Sequence, residues 1–163
     1  MNSIEEQING VLISRVIFDT GIALAAAFNP GGASMKAVRL METGDIRVFI
    51  SNRIRHEYEA VLRHPAHQER YPFMTEEYVS IELDRFDTHA ERLPNPPTAF
   101  PYQRDSNDEP LINLAIAVSA DYLVTLDKDL LALPSHPDFA SLPHRPRILK
   151  PGAFLAEMER RLP

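Results

Sequence analysis

Residues 121–131 spell DYLVTLDKDLL, an apolar run that passes directly into polar residues. Tyr122, Leu123 and Val124 are consecutive large apolar residues without alternation, which is typical of a strand buried on both faces of a parallel sheet. The run 16–18, VIF, has the same character and ends in Asp19. The two runs therefore predict buried strands that end in acidic residues.

Helical patterns separate these runs from two further predicted strands. We predict strands at 46–50 and 148–149, and helices over 22–28, 34–42, 75–89, 111–120 and 151–161. A further helix starts after Ser51 or Asn52 and ends before Pro65, with its apolar residues on one face. Proline-rich stretches at 93–101 and 134–146 predict loops. The alternation indicates an α/β domain with a largely parallel sheet and helices on both faces.

Length and composition predict one globular domain. The chain has 163 residues, 44% hydrophobic and 25% charged, which fits a single folded unit. We assign residues 15–163 to this domain and 1–14 to an N-terminal extension. The absence of cysteine excludes disulfides, thiolate metal sites and a cysteine nucleophile. No run reaches the ~20 apolar residues of a membrane helix, so we expect a soluble, cytoplasmic protein without membrane contact.

The charge balance limits the ways in which this chain can bind nucleic acid. It carries 17 basic and 23 acidic residues, a net charge of −6. A protein that covers duplex DNA over a broad face is normally basic. The charge balance therefore argues against extended, non-specific coating of nucleic acid, whereas a short contact through a local patch or through metal ions remains open.

Acidic residues lie where ligands of parallel α/β sheets bind, beyond the carboxyl ends of the strands. Asp19 and Asp127 each follow a predicted strand, and Asp108 precedes the buried helix 111–120. Glu57 falls on the margin of the apolar face of its helix. Taken singly, each has a structural explanation: aspartates cap helices and form turns, and Glu57 can pair with Arg53 one turn earlier.

Convergence of these acids favours a metal site. Four carboxylates from separate parts of the chain would meet at one end of one sheet, where they would repel one another without a cation. Oxygen-only ligand sets select Mg²⁺ or Mn²⁺. The pattern therefore predicts a magnesium or manganese site.

Four stretches, in this order, resemble the motifs of PIN-domain nucleases. They are VIFDT at 16–20, the segment from Ser51 to EYEAVL at 57–62, DSND at 105–108, and the block 121–131. The closing ILKPGAFL at 148–155 also matches. The resemblance spans about residues 15–155, and its most specific part is the fourth stretch following the other three.

The resemblance implies a three-layer α/β/α sandwich and a metal-dependent endoribonuclease, in many relatives a VapC-like toxin of a toxin–antitoxin pair. Carried over by position, the catalytic and metal-binding acids are Asp19, Glu57, Asp108 and Asp127. Thr125 would orient an acidic side chain, Asp129 would assist through water, and Asp105 is the alternative to Asp108. The family usually has asparagine after its Asp-Thr pair, whereas this chain has Gly21.

The chemistry implied is hydrolysis of single-stranded RNA by a metal-activated water, leaving a 5′-phosphate and a 3′-hydroxyl. Arg53 and Lys128 could bind phosphates, although solvated surface charge also explains them. The expected partners are RNA, a cognate antitoxin protein and, for a homodimer, a second copy.

Other hypotheses fit less of the chain. Asp19-Thr20-Gly21 matches the aspartic-protease signature, but that class is all-β and needs two such motifs. A second alternative is a PIN-like domain, weakened by Gly21, that binds RNA or a protein without cutting. His64 and His67 are better explained as surface residues than as zinc ligands, because Pro65 lies between them.

Overall fold

The computed structural model describes residues 7–8, 11–100 and 108–162, in which strands and helices alternate. The strands are β1 (Gln7–Ile8), β2 (Val11–Leu12), β3 (Ser14–Phe18), β4 (Ile46–Ile50), β5 (Glu91–Arg92), β6 (Tyr122–Val124) and β7 (Arg147–Leu149). The helices are α1 (Thr20–Phe28), α2 (Ala33–Glu42), α3 (Asn52–Leu62), α4 (Pro65–Arg70), α5 (Glu76–His89), α6 (Glu109–Ala117), α7 (Lys128–Ala132), α8 (Pro137–Ala140) and α9 (Pro151–Arg161).

Five strands form an all-parallel sheet in the order β5-β4-β3-β6-β7. Strand β3 lies at the centre, with Val16 beside Val48 of β4 and beside Tyr122 of β6. Its residues Val16, Ile17 and Phe18 are fully buried, because helices cover both faces of the sheet. Strands β1 and β2 pair with each other as a short antiparallel hairpin.

Helices on either side of the sheet complete three layers. Helices α1, α2, α3, α5 and α9 form a network of mutual contacts, whereas α6 packs against β3 and α7 against β7. Right-handed crossovers explain why helices cover both faces of the sheet. The chain crosses the sheet in one direction from β3 to β5 and in the opposite direction from β6 to β7, so the connecting helices lie on opposite faces. The predicted α/β/α fold with a parallel central sheet is confirmed.

Several elements differ from the sequence-based expectations. Strand β5 was not predicted, and Pro65 both follows the end of α3 and begins α4, where a proline fits the first helical turn. Helix α6 ends at Ala117 rather than residue 120, because Ser119 has a left-handed backbone with φ of 51°. Helix α8 lies inside the predicted loop 134–146.

The topology places a crevice at the carboxyl end of β3. From β3 the chain proceeds to β4 on one side, while β6 lies on the other. Such a reversal of strand order opens a cleft between the loops that follow the two strands, where ligands of α/β sheets bind. Within the described residues, no helix has the length and apolar character needed to cross a membrane.

Candidate active site

Asp19 lies at this crevice as the first residue after β3. Its backbone N–H donates to the carbonyl of Val124 at 3.0 Å, so the pairing of β3 and β6 continues up to the acidic residue. Its carboxylate Oδ2 accepts a 2.7 Å hydrogen bond from the hydroxyl of Thr125, a fully buried side chain. The end of the sheet therefore fixes the position of the Asp19 carboxylate.

Asp127 is joined to the same hydroxyl. Its backbone N–H donates to Thr125 Oγ1 at 3.0 Å. Its own Oδ1 accepts from the N–H groups of Asp129 and Leu130, at 2.8 and 3.2 Å, and caps α7. Asp127 therefore caps a helix rather than forming a turn, and Thr125 links it to Asp19.

Glu57 approaches from α3. Its Oε2 accepts a long hydrogen bond from the hydroxyl of Thr20, at 3.5 Å, and its Oε1 lies 3.6 Å from Arg53 Nε. The next residue, Tyr58, is buried and donates its hydroxyl to the carbonyl of Phe18, which anchors α3 at the end of β3. The expected Arg53 pair and the approach to the Asp19 region are thus both present.

Asp19 interacts electrostatically with Asp127 and with Glu57. Burial raises the pKa of Asp19, and the Asp127 charge adds to the rise, while the Thr125 hydrogen bond and nearby backbone N–H groups oppose it. Burial also raises the pKa of Glu57, with Arg53 opposing the rise and the Asp19 charge adding to it. These carboxylates therefore lie close enough to repel, and a bound cation would favour their charged forms.

Asp108 occupies the position before α6 and is 8% exposed. Its side chain makes no capping hydrogen bond to α6, so the helix-cap explanation does not account for it. Its role as the third acid stays a prediction. Asp105, the alternative third acid, lies outside the described residues.

The donor set suits Mg²⁺ or Mn²⁺ by its chemistry, since every candidate ligand is a carboxylate oxygen. Within residues 7–8, 11–100 and 108–162, however, no three acidic or histidine side chains form a ready-made metal cluster. The pKa values of Asp19 and Glu57 are raised mainly by burial, and the charge of a neighbouring acid makes a smaller contribution in each case.

Two basic residues flank the acids. Arg53 has a side chain 62% exposed beside Glu57, and Lys128 is an exposed residue directly after Asp127. Arg55, by contrast, is engaged with Asp87 and Glu59 on the surface of α3 and α5. Arg53 and Lys128 are thus placed where they could contact phosphates next to the acids.

The sequence analysis missed Thr20 as a contributor. Its hydroxyl contacts Glu57, and the only available signal was its position directly after Asp19. Gly21 lies on the same turn, and a Cβ atom built there would be 3.9 Å from Asp19 Oδ2. Glycine thus leaves space beside this carboxylate where a larger residue would place its side chain.

Comparison with known proteins gives one match. The model of the PIN domain family aligns with residues 15–129, which is most of the chain and includes all four candidate acids. No curated protein and no solved structure matches the sequence.

Proposed function

Since the chain belongs to the PIN domain family, we propose that it is a metal-dependent endoribonuclease that cleaves single-stranded RNA. PIN domains are generally nucleases, which supports a phosphodiester-hydrolysing activity. The observation that carries the proposal is the Thr125 hydroxyl, which bonds both Asp19 and Asp127 at the crevice of the sheet. Glu57 approaches the same region from α3, and the Asp19 charge makes a small contribution to the rise in its pKa.

The residues proposed to hold Mg²⁺ or Mn²⁺ are Asp19, Glu57, Asp108 and Asp127. A bound ion would lower the pKa of a water molecule and stabilise charge on the phosphate oxygens. Thr125 holds Asp19 in a fixed orientation, and Asp129, two residues after Asp127, would assist through water. Arg53 and Lys128 would bind the phosphates on either side of the scissile bond, and the products would carry 5′-phosphate and 3′-hydroxyl ends.

A toxin role is the finer proposal, and it rests on the family alone. The protein would then have a cognate antitoxin protein as partner, and it could act as a homodimer. Expression of the chain in a bacterial host, with and without the product of a small neighbouring gene, tests this role. Growth unaffected by the active chain would contradict it.

A second candidate function is binding without cleavage. Gly21 favours it, because the space beside Asp19 Oδ2 lacks the asparagine that the family usually has there. The domain would keep its fold and bind RNA or a protein through the same crevice.

Cleavage of a mixed single-stranded RNA pool with Mg²⁺ or Mn²⁺ tests the main proposal. We expect wild type to cut, leaving 5′-phosphates, and both EDTA and Asp19→Asn to abolish cutting. Asp84→Asn, which changes an exposed acid of α5, is the matched control and should cut at the wild-type rate. Cleavage by Asp19→Asn at the wild-type rate would refute the site.

An inactive wild type is tested further with Gly21→Asn. Activity gained by this variant would support the binding-only candidate for the natural chain. Continued inactivity on a pool that contains every short sequence would refute the nuclease proposal.

A further inference from the structure

A cavity of about 340 Å³ lies between the start of α3, the start of α6 and the segment 94–98. Its size falls within the range of small-molecule sites in proteins. The walls combine three proline rings, from Pro94, Pro96 and Pro110, with hydroxyl, amide, carboxylate and guanidinium groups. The cavity thus offers flat apolar surfaces and hydrogen-bonding groups together.

Asn113 supplies a buried hydrogen-bond donor to this cavity. The residue is 6% exposed, and its Oδ1 accepts from the backbone N–H groups of Ala99 and Phe100 at 2.9 and 2.8 Å. These two bonds fix the orientation of the amide, so the Nδ2 group lies on the other side. Within the part of the chain that the structure describes, Nδ2 donates to no protein group, although Asn113 forms part of the cavity wall.

Two residues of the cavity wall are neighbours of the proposed catalytic acids. Arg53 in its wall lies one helical turn before Glu57 and contacts it at 3.6 Å. Glu109, also in the wall, directly follows Asp108. A chain molecule with a phosphate at the acids would therefore place its next unit at the cavity.

We propose that this cavity holds one unpaired nucleobase next to the cleaved phosphate and gives the enzyme its nucleotide preference. The proposal rests on the nuclease function in taking the ligand to be part of an RNA strand. The Asn113 Nδ2 group donates to a ring nitrogen or carbonyl oxygen of the base, and Thr98 contacts its remaining edge.

A base fits this cavity better than a sugar-phosphate unit does. Bases bind proteins by stacking on flat groups, including guanidinium planes, and by hydrogen bonds along their edges. The proline rings and Arg53 supply the flat surfaces, while Asn113 and Thr98 supply edge contacts.

Binding of single nucleotides tests the proposal without metal or cleavage. The four ribonucleoside 5′-monophosphates are titrated into ¹⁵N-labelled wild type in EDTA, to about 10 mM, because one weakly held base corresponds to millimolar affinity. We expect saturable shifts of the Ala99, Phe100 and Asn113 amide signals, with affinities that differ at least about threefold among the bases. Ribose 5-phosphate, the matched ligand without a base, should not shift them.

Two variants test the assigned contacts. Asn113→Asp keeps the acceptor for Ala99 and Phe100 but replaces the Nδ2 donor, and we expect affinity to fall about threefold to tenfold. Thr98→Val removes an exposed hydroxyl and should weaken binding without loss of folding. Thr88→Val, an exposed threonine of α5 outside the cavity, should bind as wild type does.

The outcomes separate this inference from the nuclease proposal. Absence of shifts at these amides with all four nucleotides, or equal shifts with ribose 5-phosphate, overturns the base pocket even if the protein cuts RNA. If the Asn113→Asp protein does not fold, the test falls to Thr98→Val. A Thr98→Val protein that binds the nucleotides as tightly as wild type overturns the assigned contacts. Base-dependent shifts in a protein that cuts no RNA would support the pocket and count against only the nuclease.

Discussion

The hydroxyl of Thr125 bonds to two acidic residues at once. It donates to Asp19 Oδ2 and accepts from the N–H of Asp127, and the side chain is fully buried. A hydroxyl can serve both roles because it has one donor and two acceptor sites. The geometry of the proposed metal ligands therefore depends on a residue that need not touch the metal.

We predict that Thr125→Val lowers the rate of RNA cleavage about 10-fold to 100-fold, as loss of a group that orients metal ligands typically does. It should also destabilise the fold by about 1–3 kcal/mol, since the Asp127 N–H loses its acceptor. Initial rates and thermal unfolding measure the two effects. Thr125→Ser keeps the hydroxyl, and its rate should stay near that of wild type. Equal loss in both variants would contradict the assigned role.

The raised pKa of Asp19 predicts a stability change with a definite sign. The Asp19 carboxyl has a higher pKa in the folded state than in the unfolded state, so the folded state binds the proton more tightly. The contribution of this group to stability is therefore full at low pH and falls as pH rises through the folded pKa. Asp19→Asn should therefore unfold at a higher temperature than wild type at pH 7 in EDTA. The gain should vanish below the ordinary value of 3.8, where both side chains are neutral.

Thermal unfolding between pH 3 and pH 8 measures this difference. Asp84→Asn, an exposed change on α5, serves as the control and should show no comparable gain. An Asp19→Asn protein that unfolds at a lower temperature than wild type at pH 7 would show that burial is not the main influence on this carboxyl.

Part of the candidate site could be predicted from single residues. The proximity of Asp19, Thr125 and Asp127 follows from two apolar runs that end in polar residues, because parallel strands bring their carboxyl ends together. Their catalytic roles stay a prediction. The Asn113 cavity could not be predicted, since it depends on how the segment 94–98 returns over the start of α6.

At the scale of elements, apolar pattern and capping residues were the informative signals. Strand β4 has the bounds that its five residues predicted, and Ser51 caps α3 through the N–H of Ile54. Strand β5 was missed because Glu91 and Arg92 carry no apolar pattern. It exists through its parallel pairing with β4 and the ion pair of Glu91 with Arg47, both contacts distant in sequence.

Helix α5 offers a test of capping in an element distant from the site. The Thr75 hydroxyl accepts from the N–H of Tyr78 at 3.2 Å, and two glutamates follow in the first turn. Thr75→Ala should cost about 1 kcal/mol. For a chain of this size that corresponds to a decrease of about 2–4 °C in unfolding temperature.

Thr75→Ser keeps the accepting oxygen and should lose less than half as much. Neither variant should change the rate of RNA cleavage, since α5 lies outside the candidate site. A decrease as large for serine as for alanine would show that packing of the threonine methyl, rather than capping, stabilises this helix end.

At the scale of the whole molecule, a net charge of −6 limits contact with RNA phosphates. If Arg53 and Lys128 supply two phosphate contacts, the logarithm of affinity should fall with the logarithm of salt concentration with a slope of about −1.4. Lys128→Ala should reduce that slope by about 0.7. Fluorescence anisotropy of a labelled RNA in EDTA measures both slopes.

Lys36→Ala, which removes an exposed lysine of α2, is the matched control and should leave the slope unchanged. A wild-type slope steeper than about −4 would mean six or more phosphate contacts. The protein would then bind RNA through a broad surface and not through the two flanking cations.

The central position of β3 has a consequence during synthesis on the ribosome. One edge of this strand, which ends in three consecutive apolar residues, pairs with β4 soon after β4 emerges, but the other edge waits for β6, about a hundred residues later in the chain. At translation rates of about 5–20 residues per second, that edge stays open for about 5–20 s. The nascent chain thus has an interval in which chaperones can protect this edge. During that interval Asp19 has not yet come into contact with Thr125 and Asp127.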